Sequence, residues 1–135
     1  MIAIICVDDS LGMVFNKRRQ SSDRILRKRI IEKASHSLLW MNSYSFGQFS
    51  DCDSSNIKVD EYFAERAGNG EYCFAENIDL LKYYGKIEQL TIYRWNRKYP
   101  SDKKLNIPLD NFKCVSKTDF SGSSHERITE EVWVK

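Results

Sequence analysis

The sequence predicts an α/β domain whose sheet is mostly parallel and is finished by an antiparallel hairpin. Three observations carry that reading. Short apolar runs alternate with polar or amphipathic segments from Ile2 to Tyr84, the order that builds a helix-covered parallel sheet. The last third is rich in β-formers and folds back at Ser121-Gly122-Ser123, as a terminal hairpin does. The length of 135 residues, 41% hydrophobic and 30% charged, suits one domain (1–135) around one core.

Taken in order, Ile2 to Val7 is a continuous apolar run ending at Asp8-Asp9, the pattern of a strand buried on both faces. Ser10 to Met13 is expected to turn, with Gly12 supplying a positive φ. Asn16 to Ser22 reads as a polar loop holding Lys17, Arg18 and Arg19. Ser22 is a suitable N-cap with Asp23 in the first turn, and Leu26, Ile30 and Ala34 recur at helical spacing, so 23–33 is predicted to be an amphipathic helix. A short strand is expected at Ser37–Met41, a short helix at Ser45–Phe49, and a loop at Ser50–Asn56. Ile57–Val59 reads as a strand, Asp60–Arg66 as a helix stopped by Gly68-Asn69-Gly70, Tyr72–Ala75 as a strand, and Ile78–Tyr84 as a helix ended by Gly85. Gln89–Trp95, Phe112–Ser116 and Ile128–Val134 complete the strands.

Charge and cysteine content narrow the function classes. A net charge of +2 gives no overall field drawing the molecule to nucleic acid or anionic lipid. The N-terminal apolar run lacks the basic n-region of a signal peptide and is far shorter than the roughly 20 residues that span a bilayer, so no membrane partner is expected. Cys6, Cys52, Cys73 and Cys114 form no CxxC pair, which reads as reduced thiols in a cytoplasmic protein. With two histidines and no His-x-His-x-Asp-His cluster, a metallo-β-lactamase-type hydrolase is excluded on ligand count. No phosphate-binding Walker loop and no paired zinc motif occurs, so no metal is expected.

The element order brings a family into view. The first strand with its Gly12-Met13 turn, the loop and the acid-led helix at Asp23 resemble the opening of dihydrofolate reductase. Leu38-Leu39-Trp40-Met41-Asn42-Ser43-Tyr44-Ser45 is similar to that family's second strand and following turn. Glu88–Arg94, Ser101-Asp102 through Pro108, and Ser123-Ser124-His125 through Val134 resemble its C-terminal half. The resemblance implies a three-layer dihydrofolate reductase-like fold and gives Asp23 the place of the carboxylate that holds the pterin ring. It also implies a lost cofactor site. The family's Gly-Gly pair, where bare backbone meets the NADPH pyrophosphate, is replaced by Phe74-Ala75-Glu76-Asn77. The Gly-Arg of the second turn is Asn42-Ser43, and the middle segment is short for a cofactor-binding half. A carboxylate at Glu76 repels phosphate, so no NADPH cofactor is expected.

Candidate ligand-binding residues follow. Asp23 can accept two parallel hydrogen bonds from a heterocycle. Arg18 and Arg19, in the loop bordering the cleft, and Arg94 are expected to face an anionic group. Alternation puts Tyr93, Trp95 and Arg97 on one strand face, where a base could stack. His125 lies near Ser123, Ser124 and Asp119, but a serine adjacent to the histidine in a turn lacks a nucleophile elbow, so turn chemistry explains them better. The leading expectation is a module binding a small heterocyclic or nucleotide-like anion without NADPH chemistry. The alternatives are a reductase with an altered cofactor site, an RNA-binding protein or ribonuclease using the Arg/Tyr/Trp surface, and a protein-interaction module whose cleft is filled by its own side chains.

Overall fold

The computed structural model describes residues 1–52 and 54–135. Strands are β1 (Ile2–Val7), β2 (Gly12–Phe15), β3 (Arg18–Arg19), β4 (Leu39–Met41), β5 (Ile57–Val59), β6 (Tyr72–Phe74), β7 (Gln89–Arg94), β8 (Lys103–Lys104), β9 (Lys113–Phe120) and β10 (Ile128–Val134). Helices are α1 (Arg24–Lys33), α2 (Ser43–Phe46) and α3 (Phe63–Arg66), with a 3₁₀ helix at Leu80–Lys86. The main sheet runs β5-β4-β6-β1-β7-β10-β9. Its first four pairings are parallel and the last two antiparallel. A second small sheet, β3-β2-β8, stands beside it.

β1 lies in the middle of the main sheet because nearly every residue in it is apolar, so both faces can be covered. Ala3, Ile5 and Val7 point to one cluster with Phe63, Leu90 and Ile92. Ile4 points to the other, where Leu26 and Ile30 of α1 pack against Leu39, Phe74 and Tyr93. Two apolar layers on a buried sheet make the expected α/β fold. No helix among the described residues is long and apolar enough to cross a membrane.

Several elements differ from expectation for local reasons. The positive φ of the first turn belongs to Leu11, at 64°, while Gly12 opens β2. Glycine is needed at Gly12 for space: a Cβ there would lie 2.5 Å from that of Ser101. The basic loop is a tight hairpin with Asn16 and Lys17 both at positive φ, the signature of a type I′ connection. β8 pairs with β2, a strand that two lysines do not announce. Asp23 rather than Ser22 caps α1, accepting from the N–H groups of Ile25 and Leu26. Asn42 likewise starts α2 at Ser43, and Asp60 turns the chain at Tyr62 before α3 begins. The Ile78–Tyr84 helix is a 3₁₀ helix capped by Asp79 that runs through Gly85, and β9 continues to Phe120.

β10 carries two buried carboxylates that fix its neighbours. Glu130 accepts from Arg29 Nε at 2.9 Å, Lys33 Nζ at 3.4 Å and the Tyr93 hydroxyl at 2.7 Å. Glu131 pairs with Arg94 Nε at 3.0 Å and Lys117 Nζ at 3.4 Å. Two candidates for ligand contact are thereby corrected. Tyr93 has no exposed surface, and Arg94 is held by an internal counterion. Burial and the Glu130 carboxylate also push the Tyr93 phenol far above its usual range. Removing one donor from a charged acceptor costs about 1.5–3 kcal/mol, so Tyr93→Phe is expected to lower the unfolding free energy by that order, read as a reduced urea midpoint.

Candidate functional site

Two buried carboxylates organise the ground beyond the C-terminal end of β1. Asp8 ends that strand, and its Oδ1 accepts from the backbone of Ser10 at 2.9 Å and Gly12 at 2.7 Å. Its Oδ2 accepts from Gln20 Nε2 at 3.2 Å and the Tyr99 N–H at 3.1 Å. Burial works to raise its pKa, but the donors of Gly12, Tyr99, Ser10 and Gln20 outweigh that and hold it below the usual value. Asp8 thus fastens the turn, the hairpin's exit and the segment after β7 together.

Asp23 does the same for the C-terminal hairpin. Besides capping α1, Oδ1 accepts from the Ser123 N–H at 3.0 Å. Oδ2 accepts from the Ser124 N–H at 2.9 Å, the Ser124 hydroxyl at 3.1 Å and His125 Nδ1 at 3.0 Å. Burial again pushes upward, and the backbone donors of Ser124 and Ser123, the His125 ring and Leu26 drive the carboxyl well below the ordinary range. Gly122 permits the approach, since a Cβ there would overlap the Asp23 carboxylate.

The ionised Asp23 requires a neutral His125 ring to carry its hydrogen on Nδ1, leaving Nε2 as acceptor. Two hydroxyls face that nitrogen: Tyr99 at 3.0 Å and Ser21 at 3.1 Å. Behind the ring lies Trp95, stacked with centroids 4.5 Å apart and an angle of 27° between planes.

A third carboxylate closes the space between this group and β6. Glu76 holds Arg19 through Nε at 2.9 Å and Nη2 at 3.2 Å and accepts the Ser45 hydroxyl at 2.8 Å. Arg19 also donates to the Tyr44 carbonyl, and its guanidinium lies 4.4 Å from the centre of the Tyr44 ring. What remains there is a cavity of about 10 Å³ between Cys6, Met13, Ser21 and Arg19, room for one water at most. On the outer side of the hairpin is an open depression of about 400 Å³ lined by Phe15, Arg18, Arg19, Gln20, Tyr99 and Pro100. Phe15 and Arg18 are cross-strand partners and so share one face. Arg18 has no ion-pair partner among the described residues.

The expected site residues therefore separate. Asp23 faces inward with its acceptor capacity filled by protein donors, so it has no free oxygen for a heterocycle. Arg94 is engaged with Glu131 on β10, and Tyr93 and Trp95 are buried. Arg18, with one flank of Arg19, does border an open surface. The contacts that sequence reasoning missed are Ser21, Tyr99 and the His125–Asp23 pair. Asp119, the acid first considered beside His125, instead accepts from Thr129 at 2.7 Å. The only local signal was the placement of His125 at the foot of a strand, next to a turn of small residues. Among the described residues no three His, Cys, Asp or Glu side chains group as metal ligands.

No family model and no curated protein matches the chain in sequence. Its fold is similar to that of a dihydrofolate reductase from Enterococcus faecalis solved in complex with NADP(H) and RAB-propyl. The TM-score is 0.68 at 11% identity, over 98% of this chain and 94% of that one. The chain has a dihydrofolate reductase-like fold. Glu76 is a buried carboxylate, and its neutralising arginine fills the adjoining space.

The depressed Asp23 pKa makes a stability prediction. Such a carboxylate contributes fully above its unfolded value of about 3.9, and the contribution is lost as pH falls through the lower folded value. The urea midpoint of the wild type is expected to fall steeply below about pH 4. Asp23→Asn is expected to start lower at neutral pH and fall more gently, the remaining slope coming from Asp8 and Glu130, which are also held low.

Proposed function

We propose that the chain is a binding module for a small anionic molecule with an aromatic or heterocyclic ring, working without NADPH. The observation that carries this reading is the depression beside the β2–β3 hairpin. It offers a half-exposed Phe15 face next to an unpaired Arg18, with Tyr99 and Pro100 as the opposite wall. A ring can lie against Phe15 and Tyr99 while a phosphate or carboxylate takes the Arg18 fork. Asp8 supports the site from within by fixing Gln20 and the Tyr99 backbone, and Asp23 acts through His125, which meets the Tyr99 hydroxyl. The lost glycine motif of the resemblance, read as divergence from a reductase, agrees with Phe74-Ala75-Glu76-Asn77 as an internal brace. The free cysteines support a cytoplasmic setting.

Titration of the purified protein with pterins, folates and nucleotides, followed by calorimetry, tests the reading. Saturable binding by ring compounds that bear an anionic group is expected. Arg18→Glu is expected to weaken it by at least about tenfold, equivalent to about 1.4 kcal/mol. Absence of binding across all three classes overturns the proposal.

A further inference from the structure

Ser21, His125 and Asp23 stand to one another as nucleophile, base and orienting acid. Ser21 Oγ is 3.1 Å from Nε2, and Nδ1 is 3.0 Å from the Asp23 carboxylate, both within reach for a relayed proton. Three observations distinguish the group from a structural clamp. A clamp is complete with the Asp23–His125 contact and the Trp95 stack, yet Ser21 Oγ has the imidazole as its one protein partner among the described residues. The ring itself is buried and held on both edges and one face, so Nε2 is aimed rather than mobile. Finally, Ser21 is half-buried rather than sealed in, and it lines the small cavity beside Cys6 and Trp95.

We propose that Ser21 is the nucleophile of an acyl-transfer site that hydrolyses a small ester, with His125 as general base and acid and Asp23 as a positioning residue. In the first step Ser21 Oγ attacks the carbonyl carbon as Nε2 takes its proton. The ester C–O bond breaks, and the imidazolium returns that proton to the departing alkoxide. In the second step water attacks the acyl-serine while Nε2 takes its proton. The carboxylic acid leaves, and Ser21 recovers its hydrogen from the ring. No redox partner or metal enters. The substrate class rests on the binding reading above: Gln20 and Tyr99 belong both to the depression and to the surroundings of the relay, so the ester would belong to a molecule whose anionic end sits at Arg18.

Tyr99 adds a specific feature. Its hydroxyl competes with that of Ser21 for one lone pair on Nε2, so the serine is activated only in the fraction of molecules where Tyr99 donates elsewhere. Tyr99→Phe removes the competitor without touching the serine.

A neutral fluorophosphonate probe with intact-mass and peptide analysis tests the proposal on the full chain. One adduct is expected, on Ser21, with a rate that rises with pH to a plateau, the profile of general-base-assisted attack. Ser21→Ala is expected to abolish it, Tyr99→Phe to raise its rate several-fold, and His125→Gln to lower it at least about a hundredfold. A folded wild type and Tyr99→Phe that take no label at Ser21 overturn the proposal. So does label on Tyr99 or elsewhere, or a rate independent of pH. Should His125→Gln not fold, the pH profile and Tyr99→Phe decide. The neutral probe does not need the Arg18 fork, so failure of ligand titration and failure of labelling are separate results.

Discussion

The Asp23 carboxylate is the constraint on which the rest of the site depends. Burying a charge is costly unless donors replace the lost water. Asp23 meets that condition with the N–H groups of Ile25, Leu26, Ser123 and Ser124, the Ser124 hydroxyl and the His125 ring. These donors belong to two pieces of chain about a hundred residues apart. One anion therefore starts α1, closes the 121–125 turn and sets the tautomer of the neutral imidazole. Gly122 is part of the same arrangement, because only a residue without Cβ lets the turn come so near.

Asp8 and Glu76 extend that logic outward. Asp8 holds Gln20 and Tyr99 from the end of β1, while Glu76 neutralises Arg19 from the end of β6. Each carboxylate sits at or just beyond the C-terminal end of a parallel strand, the place where open α/β sheets carry their ligands. Here two of these strand ends are occupied by the chain's own donors. What stays open is the outer face of the hairpin, with Phe15 and Arg18, and the rim at Ser21. The fold's usual crevice has become a frame for groups at its edge.

Much of the architecture was legible from periodicity. The doubly covered β1, the α1 stripe through Leu26 and Ile30, and the closing hairpin all follow from local apolar spacing. The site was legible only in fragments. Asp23 reads correctly as a helix-start acid, but its decisive partners include backbone N–H groups of Ser123 and Ser124, which side-chain identity does not reveal. The shared face of Tyr93 and Trp95 follows from alternation, yet which face meets solvent depends on β10. There Glu130 and Glu131 look like surface residues and act as internal counterions. Arg18 and Arg19 are neighbours in sequence, and a type I′ hairpin sends one to solvent and the other to Glu76.

The topology has a kinetic consequence. β1 is made first, but it acquires both neighbours from later sequence, β6 and β7, and β7 in turn must await β10. Contacts of such long sequence separation close slowly, since the loop entropy is lost before the pairing returns anything. The Asp23–His125 contact spans 102 positions and belongs to the C-terminal hairpin, so it is absent from any chain in which that hairpin has not docked. A partly folded chain thus holds an unpaired carboxylate at the start of α1 and an unaimed imidazole. Any chemistry at Ser21 is consequently a property of the finished molecule alone, switched on by the same docking event that completes the sheet.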